Sequence, residues 1–194
     1  MAEELGIPVT DDDLADLAGL VESFVAAPLC ARLAAATVVR REAPFAYPLQ
    51  APEGEVLVHG FIDVIAREGD RALVVDYKSD RLEPEGGDPA ERVERDYRTQ
   101  RLVYALAALR DGAAEVEVTY CFLERAEEPV SVTFAASQAQ TLEAELTGLA
   151  GGILAGDFPV SATPHRWLCG TCPGRHALCS WEPAMTLRDP PEPS

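Results

Sequence analysis

The run Ala72–Asp80, Ala-Leu-Val-Val-Asp-Tyr-Lys-Ser-Asp, limits what this chain can fold into more than any other stretch. Four apolar residues lead into alternating polar ones, and the two β-branched valines favour a strand. Side chains of a strand alternate between two faces. Val74, Asp76 and Lys78 therefore share one face, and Leu73, Val75 and Tyr77 share the other, where Tyr77 is expected in the core. An aspartate and a lysine at the end of an apolar strand are costly to bury unless they are paired or bind something. Lys78 is also the only lysine in a chain with 15 arginines. A GC-rich coding sequence explains the arginines, but not the one ammonium that was kept. Lysine is a compact charge with freely directed donors and a tunable pKa, whereas arginine is a rigid fork that stays protonated.

A second acid sits in a similar setting. In Val-Leu-Val-His-Gly-Phe-Ile-Asp-Val-Ile-Ala, residues 56–66, Asp63 lies between Ile62 and Val64. Carboxylates on two adjacent strands can hold one hard cation such as magnesium, with water and phosphate oxygens filling its other positions. A nearby lysine can then position the attacking water and offset charge developing on a phosphate. Downstream, Tyr97, Gln100 and Tyr104 fall on one stripe of a helix, within reach of a phosphate or base near that cation. For Asp76 and Lys78 taken alone, a structural ion-pair network at a strand end is the competing reading. His59 is expected to be a partly buried histidine on the Asp63 face, and Phe45 a core residue near the site.

The rest of the chain fits around this segment. Thr10 followed by three aspartates starts a helix, which Pro28 kinks or divides. Three strand segments follow as an antiparallel meander over residues 37–80, joined by Pro/Gly and Gly/Asp turns. Residues 82–91 read as an irregular loop, and 91–112 as one helix closed by Gly112. Two further strands and an amphipathic helix complete an α-β-β-β-α-β-β-α order. The expected division is a core over 1–156, a Cys-rich tail over 157–183 packing on it, and a disordered proline-rich end over 184–194. A net charge of -17 argues against a simple high-affinity nucleic-acid binder but does not forbid a nucleic-acid substrate, because a divalent metal or a neighbouring domain can supply the positive charge. The acidic N-terminus lacks the order of a signal peptide and no apolar run is long enough to span a bilayer, so a cytoplasmic protein is expected.

Taken in order, Gly60-x-x-Asp63, Asp76-x-Lys78 and Gln100-x-x-x-Tyr104, preceded by Arg-Arg-Glu-Ala-Pro-Phe ending at Phe45, resemble the PD-(D/E)XK nuclease superfamily in its RecB-like branch. The resemblance covers roughly residues 40–181. It implies an α/β (α+β) fold: a restriction-endonuclease-like αβββαβ core, a central mixed sheet flanked by helices, and a Cys-rich C-terminal tail. It also implies a magnesium- or manganese-dependent deoxyribonuclease, an exonuclease in type, acting on DNA with a UvrD-like helicase in cis or in trans. Asp63 and Asp76 would be the metal ligands, Lys78 the catalytic lysine, and Gln100 and Tyr104 a DNA-contacting or site-ordering pair. Many members carry a catalytic histidine on an upstream helix. This chain has none before His59, so either its first element is missing, as in a fragment of a larger helicase-nuclease, or an acid such as Glu22 fills the position; a catalytically inactive scaffold is the alternative function.

The tail carries Cys169, Cys172 and Cys179 with metal-ligand rather than disulfide spacing. A fourth ligand from His176 would make a local zinc site. Cys30 as the fourth ligand resembles the staple of some RecB-like nucleases, where one upstream cysteine and three near the C-terminus hold a [4Fe-4S] cluster. The remaining possibility is that the thiols pack without metal. Cys121, in an apolar run, is expected to be buried.

Overall fold

The computed structural model describes residues 10–52, 54–79 and 88–190. Its chain divides into two compact units, Met1–Gly151 and Gly152–Ser194. The first holds one five-stranded sheet in the order β1 (Val38–Ala51), β2 (Gly54–Glu68), β3 (Arg71–Lys78), β4 (Glu115–Phe122) and β5 (Val130–Ala135). Strands β1, β2 and β3 form the expected antiparallel meander. β3 and β4 run parallel, and β5 returns antiparallel, which makes the sheet mixed. A parallel pair needs a long crossover, supplied here by α3 (Pro89–Asp96) and α4 (Arg98–Arg110). With α1 (Asp11–Ala26) and α2 (Pro28–Ala35) before the sheet and α5 (Ala139–Leu154) after it, the αβββαβ core is present.

Two apolar clusters sandwich the sheet. Val74 of β3 joins Leu102, Leu106 and Tyr120 in the α4-side cluster, while Leu73 and Val75 join Leu29 and Leu33 of α2. Leu73, Val74 and Val75 are all 0% exposed, as a central strand covered on both faces must be. Full burial of each such side chain is worth roughly 1.5–3 kcal/mol. Arg32 of α2 staples the second face. Its guanidinium donates to both Glu68 oxygens at 2.8 Å and to Glu117 at 2.7 and 3.0 Å, spanning β2 and β4 over β3.

Local signals in the sequence act as expected at several ends. Thr10 and Asp13 form a reciprocal capping box at the start of α1. Ala27, before Pro28, is extended (φ -72°, ψ 145°) and divides α1 from α2. Gly112 closes α4 at φ 89°, and Gly69 takes φ 70° in the β2–β3 turn. Cys121 is fully buried, and its thiol is pushed up to about 11 by burial and the nearby Glu127. The apolar stripe of α1 (Leu14, Leu17, Val21 and Val25) stays exposed. Among the described residues no single helix is long and apolar enough to cross a membrane.

Three expectations need correction. The helix expected to run unbroken over 91–112 is interrupted at Tyr97 (φ -120°, ψ 7°), where the carbonyl accepts the Tyr120 hydroxyl at 3.2 Å. Pro89 and Ala90, expected in the loop, instead begin α3, with Asp88 capping its first turn; residues 80–87 of that stretch lie outside the described residues. The end of the chain is not irregular from residue 184, because Pro183–Leu187 forms a short helix, α7 (α6 being Arg166–Cys169). Residues 191–194 of that expected disordered end lie outside the described residues.

Candidate active site

The β1–β2 ribbon changes phase where the site begins. Arg41 pairs with Val64 and Ala43 with Ile62, and the register between them passes over Glu42 and Asp63. Ile62 and Ile65, three residues apart, reach the same cluster, while Val64 faces the other. Glu42 takes φ 46°, the one non-glycine left-handed conformation among the described residues. Such irregularities re-aim side chains at functional edges of sheets. The phase change also corrects the reading of His59, which is exposed rather than half-buried.

Asp63 stands one step beyond Val64–Val75, the last pair of the β2–β3 ladder, where continued register would set it against Asp76. Its Oδ2 accepts the Tyr77 N–H at 3.0 Å. Asp76 is 3% exposed and pairs with the Lys78 ammonium, so neither charge is buried alone. From α4, Gln100 accepts Lys78 Nζ on Oε1 at 3.2 Å. Its Nε2 donates to Asp76 Oδ2 at 3.2 Å and to the Tyr104 hydroxyl at 3.0 Å. Both halves of the amide are thus used, which fixes its orientation. Tyr104 in turn donates to the Phe61 carbonyl at 3.1 Å and so ties α4 to the strand that carries Asp63.

The tyrosine is electrostatically part of the same group. Burial pushes the Tyr104 phenol up to about 12, with the carboxylates of Asp76, Asp63 and Glu42 adding to the effect and the Gln100 hydrogen bond opposing it. Gly60 explains the first residue of its motif. A Cβ there would lie 3.0 Å and 3.2 Å from ring atoms of Phe45, and Phe45 packs edge-on against Tyr104 at 6.0 Å. Phe45 is accordingly a half-buried packing residue beside the site. Tyr77 lies on the opposite face against Phe24, with ring centroids 5.0 Å apart.

The structure therefore brings Asp76, Lys78, Gln100 and Tyr104 into one hydrogen-bonded network, with Asp63 at its edge. Beneath the network lie Tyr97 and Tyr120, whose ring centroids are 4.1 and 5.5 Å from Lys78 Nζ, and sequence reasoning misses the second of them. Tyr97 falls on the helical stripe read from the spacing, but nothing in that spacing points to Tyr120. Glu42 also escapes such reasoning, although its acid sits in the first strand. Glu22 is exposed on α1.

Two carboxylates on neighbouring strands present oxygen donors only, a set suited to magnesium or manganese with water completing the shell. Among the described residues no group of three or more His, Cys, Asp or Glu side chains converges on one point. The same holds for the sulfur ligands of the tail. Cys169, Cys172 and Cys179 line one cavity of about 420 Å³ with Phe158, Leu178 and Trp181, without forming a closed ligand set. His176 is exposed and lines a neighbouring concavity that Cys179 also borders. Within the second unit, Trp181 donates to the Ser161 carbonyl at 2.9 Å and Arg188 to that of Pro164 at 2.7 Å. Cys30 belongs to the first unit, on α2.

Comparison with known proteins bears on the same residues. The family model of the PD-(D/E)XK nuclease superfamily matches residues 12–179. An ATP-dependent helicase/nuclease subunit of Desulforudis audaxviator is 39% identical over 121 residues, covering 57% of this chain and 9% of that protein. Its counterpart in Desulforamulus reducens is 38% identical over 97 residues, covering 45% of this chain and 8% of that protein. The counterpart in Anoxybacillus flavithermus is 36% identical over 106 residues, covering 53% and 9%. The chain thus spans less than a tenth of the length of these curated relatives. A solved structure titled "Crystal structure of SSO0001" aligns over 89% of this chain and 77% of its own, with 16% identity and a TM-score of 0.49.

Proposed function

This chain belongs to the PD-(D/E)XK nuclease superfamily, and from that premise we propose that it is a metal-dependent DNA nuclease of RecB-like type working with, or within, a UvrD-like helicase. The observation that carries the reading is the shared network of Asp76, Lys78, Gln100 and Tyr104, with Asp63 on the adjacent strand. The reaction is hydrolysis of a phosphodiester. Water adds at phosphorus, one phosphorus–oxygen bond breaks, and a phosphate monoester and an alcohol remain.

Asp63 and Asp76 would hold a magnesium or manganese ion, which when bound supplies charge neutralisation at the phosphate and a more acidic water. With one N–H on Asp76 and one on Gln100, Lys78 has its third to point at the phosphate oxygen on which charge grows. Gln100 keeps that ammonium beside Asp76, and Tyr104 keeps Gln100 in place while fixing the Phe61–Asp63 segment. The net charge of -17 leaves DNA affinity to the metal and to the helicase, so binding by this chain alone at physiological salt is weak. The relatives' name, which joins helicase to nuclease, supports that partnership.

Linear single-stranded DNA, duplex DNA and RNA, each with magnesium or manganese, test the reading against Lys78→Ala. We expect the wild type to degrade DNA and the variant to lose that activity. Equal activity, or none in either protein, would point to a scaffold instead. For the tail, a [4Fe-4S] cluster rests on the cysteine spacing and the shared cavity. Iron, acid-labile sulfide and zinc analysis of anaerobically purified protein distinguishes cluster, zinc and bare thiols.

A further inference from the structure

If the nuclease reading holds, on which this inference rests, Lys78 must keep its place while a cation engages its partner. An ammonium carries three N–H donors. Here one is committed to the Asp76 pair and one to Gln100 Oε1 at 3.2 Å. A carboxylate that also serves a divalent cation is a poor sole anchor for a second cation, because the two positive charges repel across the shared group. Gln100 Oε1 remains as one anchor, and a second attractive partner that the metal does not compete for would fix Lys78 in place.

The ring of Tyr97 is such a partner. Its centroid lies 4.1 Å from Nζ, inside the range in which an aromatic face attracts an ammonium. Tyr120 backs it, with ring centroids 5.5 Å apart, planes inclined by 21°, and its own face 5.5 Å from Nζ. A π face draws the ammonium through its quadrupole but offers no strong oxygen donor to a hard divalent ion, which prefers carboxylate and water. We propose that Tyr97 is a positioning residue for Lys78, its ring holding the ammonium at the site while Asp76 is engaged by the cation.

The backbone fixes the ring from three directions. Tyr97 ends α3, donating its N–H to Val93 at 3.0 Å, and Val93 is anchored in the core at 1% exposure. It also begins α4, its carbonyl accepting the Arg101 N–H at 2.9 Å. The same carbonyl accepts the Tyr120 hydroxyl from β4 at 3.2 Å. The break in the crossover helix therefore has a use: it is where two helices and a strand meet to set one ring under one ammonium.

Because Lys78 is the only lysine, selective lysine labelling yields a single side-chain NMR signal set. Protons over an aromatic face are shielded. We expect the Lys78 ε-methylene to resonate upfield of free lysine in the wild type, with and without magnesium. Tyr97→Phe should keep that shielding and near-wild-type kcat. Tyr97→Leu should lose most of the shielding, leaving only what the more distant Tyr120 ring supplies, and kcat on linear DNA should fall roughly 3- to 30-fold with KM little changed. An unshielded Lys78 in the wild type, loss of shielding on adding magnesium, or an equal fall in kcat for Phe and Leu would overturn the proposal. Should Tyr97→Leu not fold, the wild-type and Tyr97→Phe spectra and the magnesium titration still decide it. A shielded Lys78 in a wild-type protein without turnover supports the placement and counts against the nuclease reading alone.

Discussion

Asp63 accepts the backbone N–H of Tyr77 at 3.0 Å, just past the last pair of the β2–β3 ladder. One carboxylate therefore both closes the end of a ladder and lends its charge to the site. The two jobs separate on substitution. Asp63→Asn keeps an oxygen for the Tyr77 N–H, so its thermal stability should stay within about 1 kcal/mol of wild type. Its magnesium affinity by calorimetry and its turnover should both collapse. Asp63→Ala should lose a further ~1–2 kcal/mol, since the N–H is left without its acceptor.

Lys78→Arg retains the charge but not the shape. A planar fork cannot sit between the Asp76 carboxylate, the Gln100 amide and the Tyr97 face as an ammonium does. Turnover on linear DNA should fall about 100-fold or more, nearly as far as in Lys78→Ala, if Lys78 supplies directed stabilisation of the transition state. Wild-type rates for the arginine variant would show that charge alone suffices.

Gly60→Val tests packing at a distance from the charges. The added Cβ meets Phe45 at 3.0 Å, and Phe45 leans on Tyr104. Overpacking of this kind costs ~1–3 kcal/mol, and the displaced Tyr104 should lower kcat as well. Adding Phe45→Leu to the same protein should recover part of both losses, a coupling that a double-mutant cycle measures directly.

Acid should unfasten α2. The hydrogen bonds from Arg32 hold Glu68 and Glu117 below the ordinary glutamate value of 4.5. Depressed folded-state values give a contribution that is present above the unfolded value and lost as pH falls through the folded one. Stability should therefore decline below pH 4.5 in the wild type and less steeply in Arg32→Ala. At neutral pH, Arg32→Ala should cost ~1–2 kcal/mol, less than a fully buried pair, because the Arg32 side chain is 36% exposed.

At alkaline pH the sign is reversed. Burial pushes the phenols of Tyr77 and Tyr104 up to about 12 and raises those of Tyr47 and Tyr120 as well. A raised folded value favours the native state below the unfolded value, and that advantage disappears as pH rises towards the folded one. Tyrosinate absorbance should stay low beyond the ordinary tyrosine value and then rise together with loss of circular dichroism as pH approaches 12. A smooth titration at the ordinary value, with the fold intact, would contradict the burial of these rings.

The parts of the site that are legible in the sequence are those set by periodicity within one element. Alternation in β3 places Asp76 and Lys78 together, and helical spacing places Gln100 next to Tyr104. The αβββαβ order follows from turn residues and apolar runs. What escapes depends on contacts between elements. Tyr120 looks like an ordinary strand residue until the parallel β3–β4 register sets it beside Asp76. The break at Tyr97 carries no glycine or proline to announce it, and the Tyr120 hydroxyl bonded to its carbonyl comes from a distant strand. His59 departs from its expected burial because simple alternation does not survive a point where the strand shifts phase.

The same shift limits how the gene can vary. Glu42 and Asp63 are extra residues taken up together, one in each arm of the β1–β2 ribbon. Losing either codon alone would slide one arm against the other and turn its inward row of side chains to water. The two arms should therefore change length only in matched steps, with an acid at position 63 tolerating no independent insertion on either side.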